Sequence, residues 1–242
     1  MPFSNILPDP VNKITNAGVT DNSTGTAGPG FASVSLKSVR DTQVSRTISG
    51  RGITRSQGSQ NFEINIDYNP MSRTEFEPVF SFLLSRNARR TPFFVQLPQY
   101  AAPRSSTWAT FAGANVITTS ANNNAGSTNM LVTNASMVAL SGDPSPGDMF
   151  TVTDSANTNH TKSYLITRVE NSTVYESGGG AVAVNSRRIH FIPPLTRYTT
   201  SGSVVNFIAP KVRCILKNDL QEYSLSTNNL FQFSLSLEEI QP

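Results

Sequence analysis

The stretch Asn61-Phe62-Glu63-Ile64-Asn65-Ile66-Asp67-Tyr68-Asn69-Pro70 decides the fold. Phe62, Ile64, Ile66 and Tyr68 alternate with Glu63, Asn65 and Asp67, so apolar and polar side chains leave opposite faces of an extended segment. This predicts a half-buried strand, broken at Asn69-Pro70. Ser72 followed three residues later by Glu75 offers a capping box, and Met71 and Phe76 are spaced for a hydrophobic staple, so a helix starts here. Phe76, Val79, Phe80 and Leu83 make one apolar stripe. Arg86-Asn87-Ala88-Arg89-Arg90 ends the helix, and Phe93 to Leu97 returns to strand character. Pro78 lies beyond the first turn if Ser72 caps, and nearer its tolerated position if Thr74 caps with Glu77 completing the box. Either placement predicts a short or bent helix.

At the far end of the chain Phe231, Phe233, Leu235 and Leu237 alternate with Gln232, Ser234, Ser236 and Glu238. Two alternating strands of matching character are natural sheet partners, so the outer segments are expected to form one discontinuous core domain, 1–99 with 204–242. Residues 1–30, rich in Pro, Asn, Gly and Thr, read as an extended N-terminal arm that Ile6-Leu7 and Val11 to Ile14 could tack onto a neighbour. Phe31 to Val39 reads as a first strand. Asp41 to Gln60 reads as a long basic connection punctuated by Gly and Ser, into which Ile48 and Ile53 extend short strand pieces.

Residues 100–203 read as an inserted all-β module with strands at Asn115 to Thr119, Asn129 to Thr133, Asp148 to Thr153, Tyr164 to Val169 and Arg188 to Ile192. Pro146-Gly147-Asp148, Gly178-Gly179-Gly180 and Pro193-Pro194 separate them. Such spacing suggests a small barrel or sandwich, and no helix is expected within it.

Charged residues are 14% of the chain and the net charge is +3, too small to argue for a nucleic-acid binder. A sparsely charged surface suits either a subunit covered by neighbours or an ordinary β protein with Ser/Thr-rich loops. The lone Cys214 forbids an internal disulfide. No apolar run approaches a membrane span, and Met1 to Asn22 lacks the charged start and apolar centre of a signal peptide, so no export by that route is expected.

The chain resembles the distal tail and baseplate tail-tube (hub) proteins of tailed bacteriophages. The likeness rests on Ser56-Gln57-Gly58-Ser59-Gln60-Asn61-Phe62, on Tyr68-Asn69-Pro70-Met71-Ser72-Arg73-Thr74-Glu75-Phe76, and on Phe82-Leu83 and Phe93 to Pro98. It continues through Pro146-Gly147-Asp148-Met149-Phe150, then His160, Lys162 and Tyr164, and ends with Pro193-Pro194-Leu195 and Phe231 to Glu239. It implies a tail-tube-like β-barrel or sandwich domain with one short helix, carrying an inserted small β domain and assembled as a homohexameric ring around a DNA channel. The implied partners are the tail tube protein and baseplate hub or wedge proteins, with DNA as transient cargo and no membrane. The implied place is the virion tail, assembled in the host cytoplasm.

On that resemblance Glu63, Asn65, Asp67, Gln232, Ser234, Ser236 and Glu238 are expected to line the channel as a mildly acidic, small-residue surface from which phosphates slide off. Arg46, Arg51 and Arg55, with Arg86, Arg89 and Arg90 as a second basic knot, are expected at contacts between rings or subunits. The bland reading gives both groups to solvent. No cofactor, metal or catalytic group is expected. His160 and His190 sit in no ligand spacing, Glu75 and Glu77 are accounted for by capping, and Gly178 to Gly180 lacks the following Lys of a phosphate loop. Tyr100 and Trp108 would make a sugar platform, but burial at a domain junction is the alternative. A carbohydrate- or receptor-binding role for the inserted domain is the competing function.

Overall fold

A computed structural model describes residues 4–219 and 222–241, and the backbone alone for 41 and 56–59. The side chains of Ser56, Gln57, Gly58 and Ser59, which carry part of the resemblance, lie outside that description. So do residues 1–3, 220–221 and 242 of the expected core domain. The strands are β1 (Phe31–Arg46), β2 (Gly52–Tyr68), β3 (Phe93–Gln96), β4 (Thr118–Thr119), β5 (Asn129–Thr133), β6 (Met149–Thr153), β7 (Ser163–Glu170), β8 (Ser186–Ile192), β9 (Val204–Asn206), β10 (Lys211–Leu216), β11 (Ser224–Leu225), β12 (Phe231–Gln232) and β13 (Ser234–Glu239). Two helices join them, α1 (Arg73–Ser85) and α2 (Ser106–Ala114). The protein is mainly β. Among the described residues no helix is long and apolar enough to cross a membrane.

The chain divides into two compact units, one running to Val95 and resuming over Arg213–Ile240, the other Gln96–Val212. The first holds the five-stranded sheet ordered β1-β2-β13-β10-β3. The early and terminal alternating strands do lie side by side, antiparallel, with Leu235 opposite Ile66 and Leu237 opposite Ile64. Phe62, Ile64, Ile66, Leu235 and Leu237 are all buried, each at most 2% exposed. At ~25 cal/mol per Å2 each such side chain contributes about 2 kcal/mol, more than any single backbone bond of the ladder. α1 covers this face, with Phe76 edge-on to Phe233 and Phe82 edge-on to Phe93.

At the start of α1 the Glu75 carboxylate accepts from the Ser72 N–H at 2.9 Å and from the Ser72 hydroxyl at 2.7 Å. Ser72, not Thr74, is therefore the cap, and Pro78 sits inside the helix. The apolar stripe is rotated from the expected one. Phe82 is buried beside Phe76, Val79 and Leu83, while Phe80 is half-buried against Tyr223.

The expected loop over 41–60 is instead the distal half of a hairpin. β1 and β2 stay in register from Thr42 opposite Ser56 to Arg46 opposite Gly52, with a bulge between Arg40 and Thr42. A turn over 47–51 joins them, with Gly50 at φ +78°, a left-handed conformation that favours glycine.

The arm is also less free than expected. Ile6-Leu7 does not reach out to a neighbour but bridges β3 in parallel, with Leu7 N–H to the Phe94 carbonyl at 2.8 Å and Leu7 fully buried. A Cβ at Gly28 would stand 2.6 Å from the Pro8 backbone, so the returning arm passes too close for any side chain there.

In the second unit β4-β5-β8-β7-β6-β9 close a six-stranded barrel. Its interior is built on Phe150, Tyr164, Phe191 and Phe207, whose rings meet at 5.3–5.7 Å. Val204–Asn206 pairs with β4 and β6, so it belongs to the barrel and not to the outer domain where composition placed it. The reason is that Val205 and Phe207 bury in the barrel core. Nor is this unit free of helix. α2 is capped by Ser105, whose hydroxyl accepts from the Trp108 N–H at 3.3 Å. Trp108, fully buried, meets Phe207 edge-on at 5.3 Å, so the expectation of a domain-junction tryptophan gives way to one in the barrel core.

Candidate functional site: the open face of the sheet

Because side chains alternate along a strand, burying Ile64, Ile66, Leu235 and Leu237 sends their neighbours to the opposite face. Register then sets three rows across β1, β2 and β13: Ser33 with Asp67 and Ser234, Ser35 with Asn65 and Ser236, Lys37 with Glu63 and Glu238. All nine are exposed or half-buried. The structure thus brings together Glu63, Asn65, Asp67, Ser234, Ser236 and Glu238. Gln232 is the exception, because β12 leaves the large sheet and pairs with β11, placing Gln232 opposite Ser224.

The face is not acidic, as the sequence led one to expect. Glu63 lies 3.0 Å from the Lys217 ammonium and 3.5 Å from that of Lys37, and Arg89 lies 3.9 Å from Glu238. Asp67 accepts from the Ser33 hydroxyl at 2.7 Å. Lys217, with Lys37 beside it, holds the Glu63 carboxyl below the usual carboxylate range. Two cations thus meet Glu63 and one meets Glu238, while Asp67 meets a hydroxyl, so the charges named on this face sum to near neutrality among hydroxyls and an amide. Lys37 and Lys217, flanking the acidic strand from both sides, were the residues missed. Only the register, which the sequence does not print, reveals them.

The two arginine groups stand apart in their surroundings. Arg46 is opposite Gly52 and Arg55 opposite Gln43, with Arg51 in the turn, so all three gather at the tip of the hairpin. Every side chain from 42 to 55 is exposed there. Arg86, Arg89 and Arg90 follow α1. Arg86 lays its guanidinium over the Phe82 ring at 4.8 Å, and Arg89 turns to the open face.

A cavity of about 870 Å3 opens between α1 and the arm, walled by Thr74, Glu77, Pro78 and Ser81 on one side and by Ile14 to Gly18 on the other. Pro78 has no N–H, so the Thr74 carbonyl has no helical donor.

The barrel unit carries two buried polar clusters. Glu170 receives Arg188 and Arg168 at 2.8 Å and His190 at 2.9 Å. Burial opposes its ionisation, but the His190 and Arg188 contacts hold the carboxyl below its usual range. His160 lies against the Tyr164 hydroxyl at 2.7 Å, and burial pushes it down to about 4. The two histidines thus have separate partners, and among the described residues no group of three or more His, Cys, Asp or Glu is arranged to hold a metal.

No family model and no curated protein matches this chain.

Proposed function

We propose that this chain is a structural subunit of a bacteriophage tail, forming a ring of six at the baseplate or distal end of the tail tube. In this reading the first unit is the tail-tube-like domain and Gln96–Val212 is an insertion into it. The observation that carries the proposal is the sheet built from β2 and β13. One face is covered by α1, and the other is a near-neutral surface of Ser, Asn and Asp67 with Glu63 and Glu238 beside cations. Around a channel such a face has a use, because short polar side chains, with the cations of the face drawn to neighbouring carboxylates, give passing phosphates a weak hold and a shallow field.

The ring surrounds DNA as transient cargo and meets the tail tube protein on one side and baseplate hub or wedge proteins on the other. Its location is the virion tail, and its work is mechanical rather than enzymatic. Native mass spectrometry of the purified chain tests this. A species of six copies is expected, and a single-copy mass across the accessible concentration range contradicts it.

The second reading, recognition of a carbohydrate or receptor by the barrel, is favoured by Tyr175 and Tyr198, both more than two-fifths exposed on that unit. Glycan binding lost in Tyr198→Ala is its signature.

A further inference from the structure

The tip of the β1–β2 hairpin is internally satisfied and externally apolar. The Thr47 N–H donates to the Arg51 carbonyl at 3.0 Å, the Gly50 N–H to the Thr47 carbonyl at 2.9 Å, and the Arg51 N–H to the Thr47 hydroxyl at 3.1 Å. With these three donors engaged, the turn projects Ile48 fully into solvent, and Val44 and Ile53 are more than half exposed behind it. Register places Val44 on one face of the ribbon and Ile53 on the other, so Ile48 is the apolar side chain at the very tip, and it is flanked by Arg46, Arg51 and Arg55 with no carboxylate from 42 to 62.

The same unit holds the complementary feature. The cavity beside α1 has Ile14, Ala17, Pro78 and Phe82 for its apolar walls. Glu77 stands toward the N-terminal end of its helical wall, offering its carboxylate to a guanidinium. Arg86 lies nine residues further along the helix, roughly 14 Å at 1.5 Å per residue, with its own guanidinium laid over Phe82. The cavity is therefore polarised, receptive to cations at one end only. Glu77 is already engaged by Arg73 at 2.6 Å, but that pair is exposed and exchangeable.

We propose that the hairpin tip of one copy seats in the α1–arm cavity of a second copy. Ile48 enters against Pro78 and Ala17, and Arg51 is received by Glu77. Tip and cavity are different surfaces of one chain, so the contact is head-to-tail, and repetition closes a ring or stacks copies. This inference rests on the proposed assembly of like subunits and names the contact that drives it.

The test uses full-length chains. Ile48→Cys and Ser81→Cys proteins, each otherwise wild type with Cys214 buried, are mixed and oxidised; a disulfide joining the two chains is expected, and neither variant alone gives it. In parallel, Glu77→Arg weakens association roughly tenfold or more, and adding Arg51→Glu to it restores association. Ile48→Asp, on a fully exposed turn, leaves the unfolding temperature unchanged and abolishes assembly. If wild type assembles while Ile48→Asp and Glu77→Arg assemble equally well and no mixed disulfide forms, the docking is wrong and the ring reading survives. If wild type is a single copy at every concentration, the ring reading falls and the docking with it.

Discussion

The Phe62 N–H donates to the Glu239 carboxylate at 3.0 Å, joining residues 177 positions apart through a side chain that is 2% exposed. This contact sits at the end of the β2–β13 ladder and fastens the terminal strand to the early one. Glu239→Ala removes a charge-assisted bond at a buried N–H, so a loss of about 1.5–3 kcal/mol is expected, read as a lowered denaturation midpoint. A change under about 0.5 kcal/mol would show that the ladder alone holds the strand.

His160 gives the protein an acid-sensitive step. Burial depresses its folded-state pKa from 6.5 to about 4, so as pH falls through 6.5 the unfolded chain takes up a proton that the folded chain refuses. Stability contributed by this group is whole above 6.5, declines between 6.5 and 4, and is flat below. The loss is at most about 3 kcal/mol. Thermal midpoints measured against pH for wild type and His160→Gln should converge in that window, and parallel curves would contradict the assignment.

Pro78 stands within α1 and leaves the Thr74 carbonyl without its helical donor. Pro78→Ala restores an N–H at that place and removes the ring from the helix interior, a gain of about 1–3 kcal/mol in chemical denaturation. Destabilisation instead would mean that the proline ring is a packing element of the cavity wall.

Trp108 is the single tryptophan and lies wholly within the barrel core. Its fluorescence should report unfolding of the Gln96–Val212 unit. Trp108→Ala removes its edge contact with Phe207, with a cost of about 3–5 kcal/mol. Trp108→Phe should cost far less, because the indole N–H has no hydrogen-bond partner among the described residues.

The pairing of the two outer strands was legible because Phe62 to Tyr68 and Phe233 to Leu237 keep a strict period of two, and only burial of one face produces that. The hairpin beyond Asp41 was not legible. Its strands bury nothing, so Thr42 to Arg46 and Gly52 to Arg55 carry no apolar alternation, and their Gly and Ser imitate a loop. α2 was hidden for a related reason. Ser, Thr and Gly make Ser106–Ala114 a weak helix former, and the available cue was the three- and four-residue spacing of Trp108, Phe111 and Ala112 after the Ser105 cap. Charge balance on the open face was invisible because Lys37 and Lys217 reach Glu63 through register rather than proximity in sequence.

The most direct measurement concerns where Asn65 points in the assembled protein. Asn65 is exposed in the middle row of the open face, so Asn65→Cys accepts a maleimide-gold label without disturbing the core. Electron microscopy of the labelled chain should show a ring of six with density inside a central bore. Label on the outer rim of a ring, or particles of one copy with no bore, would contradict the account.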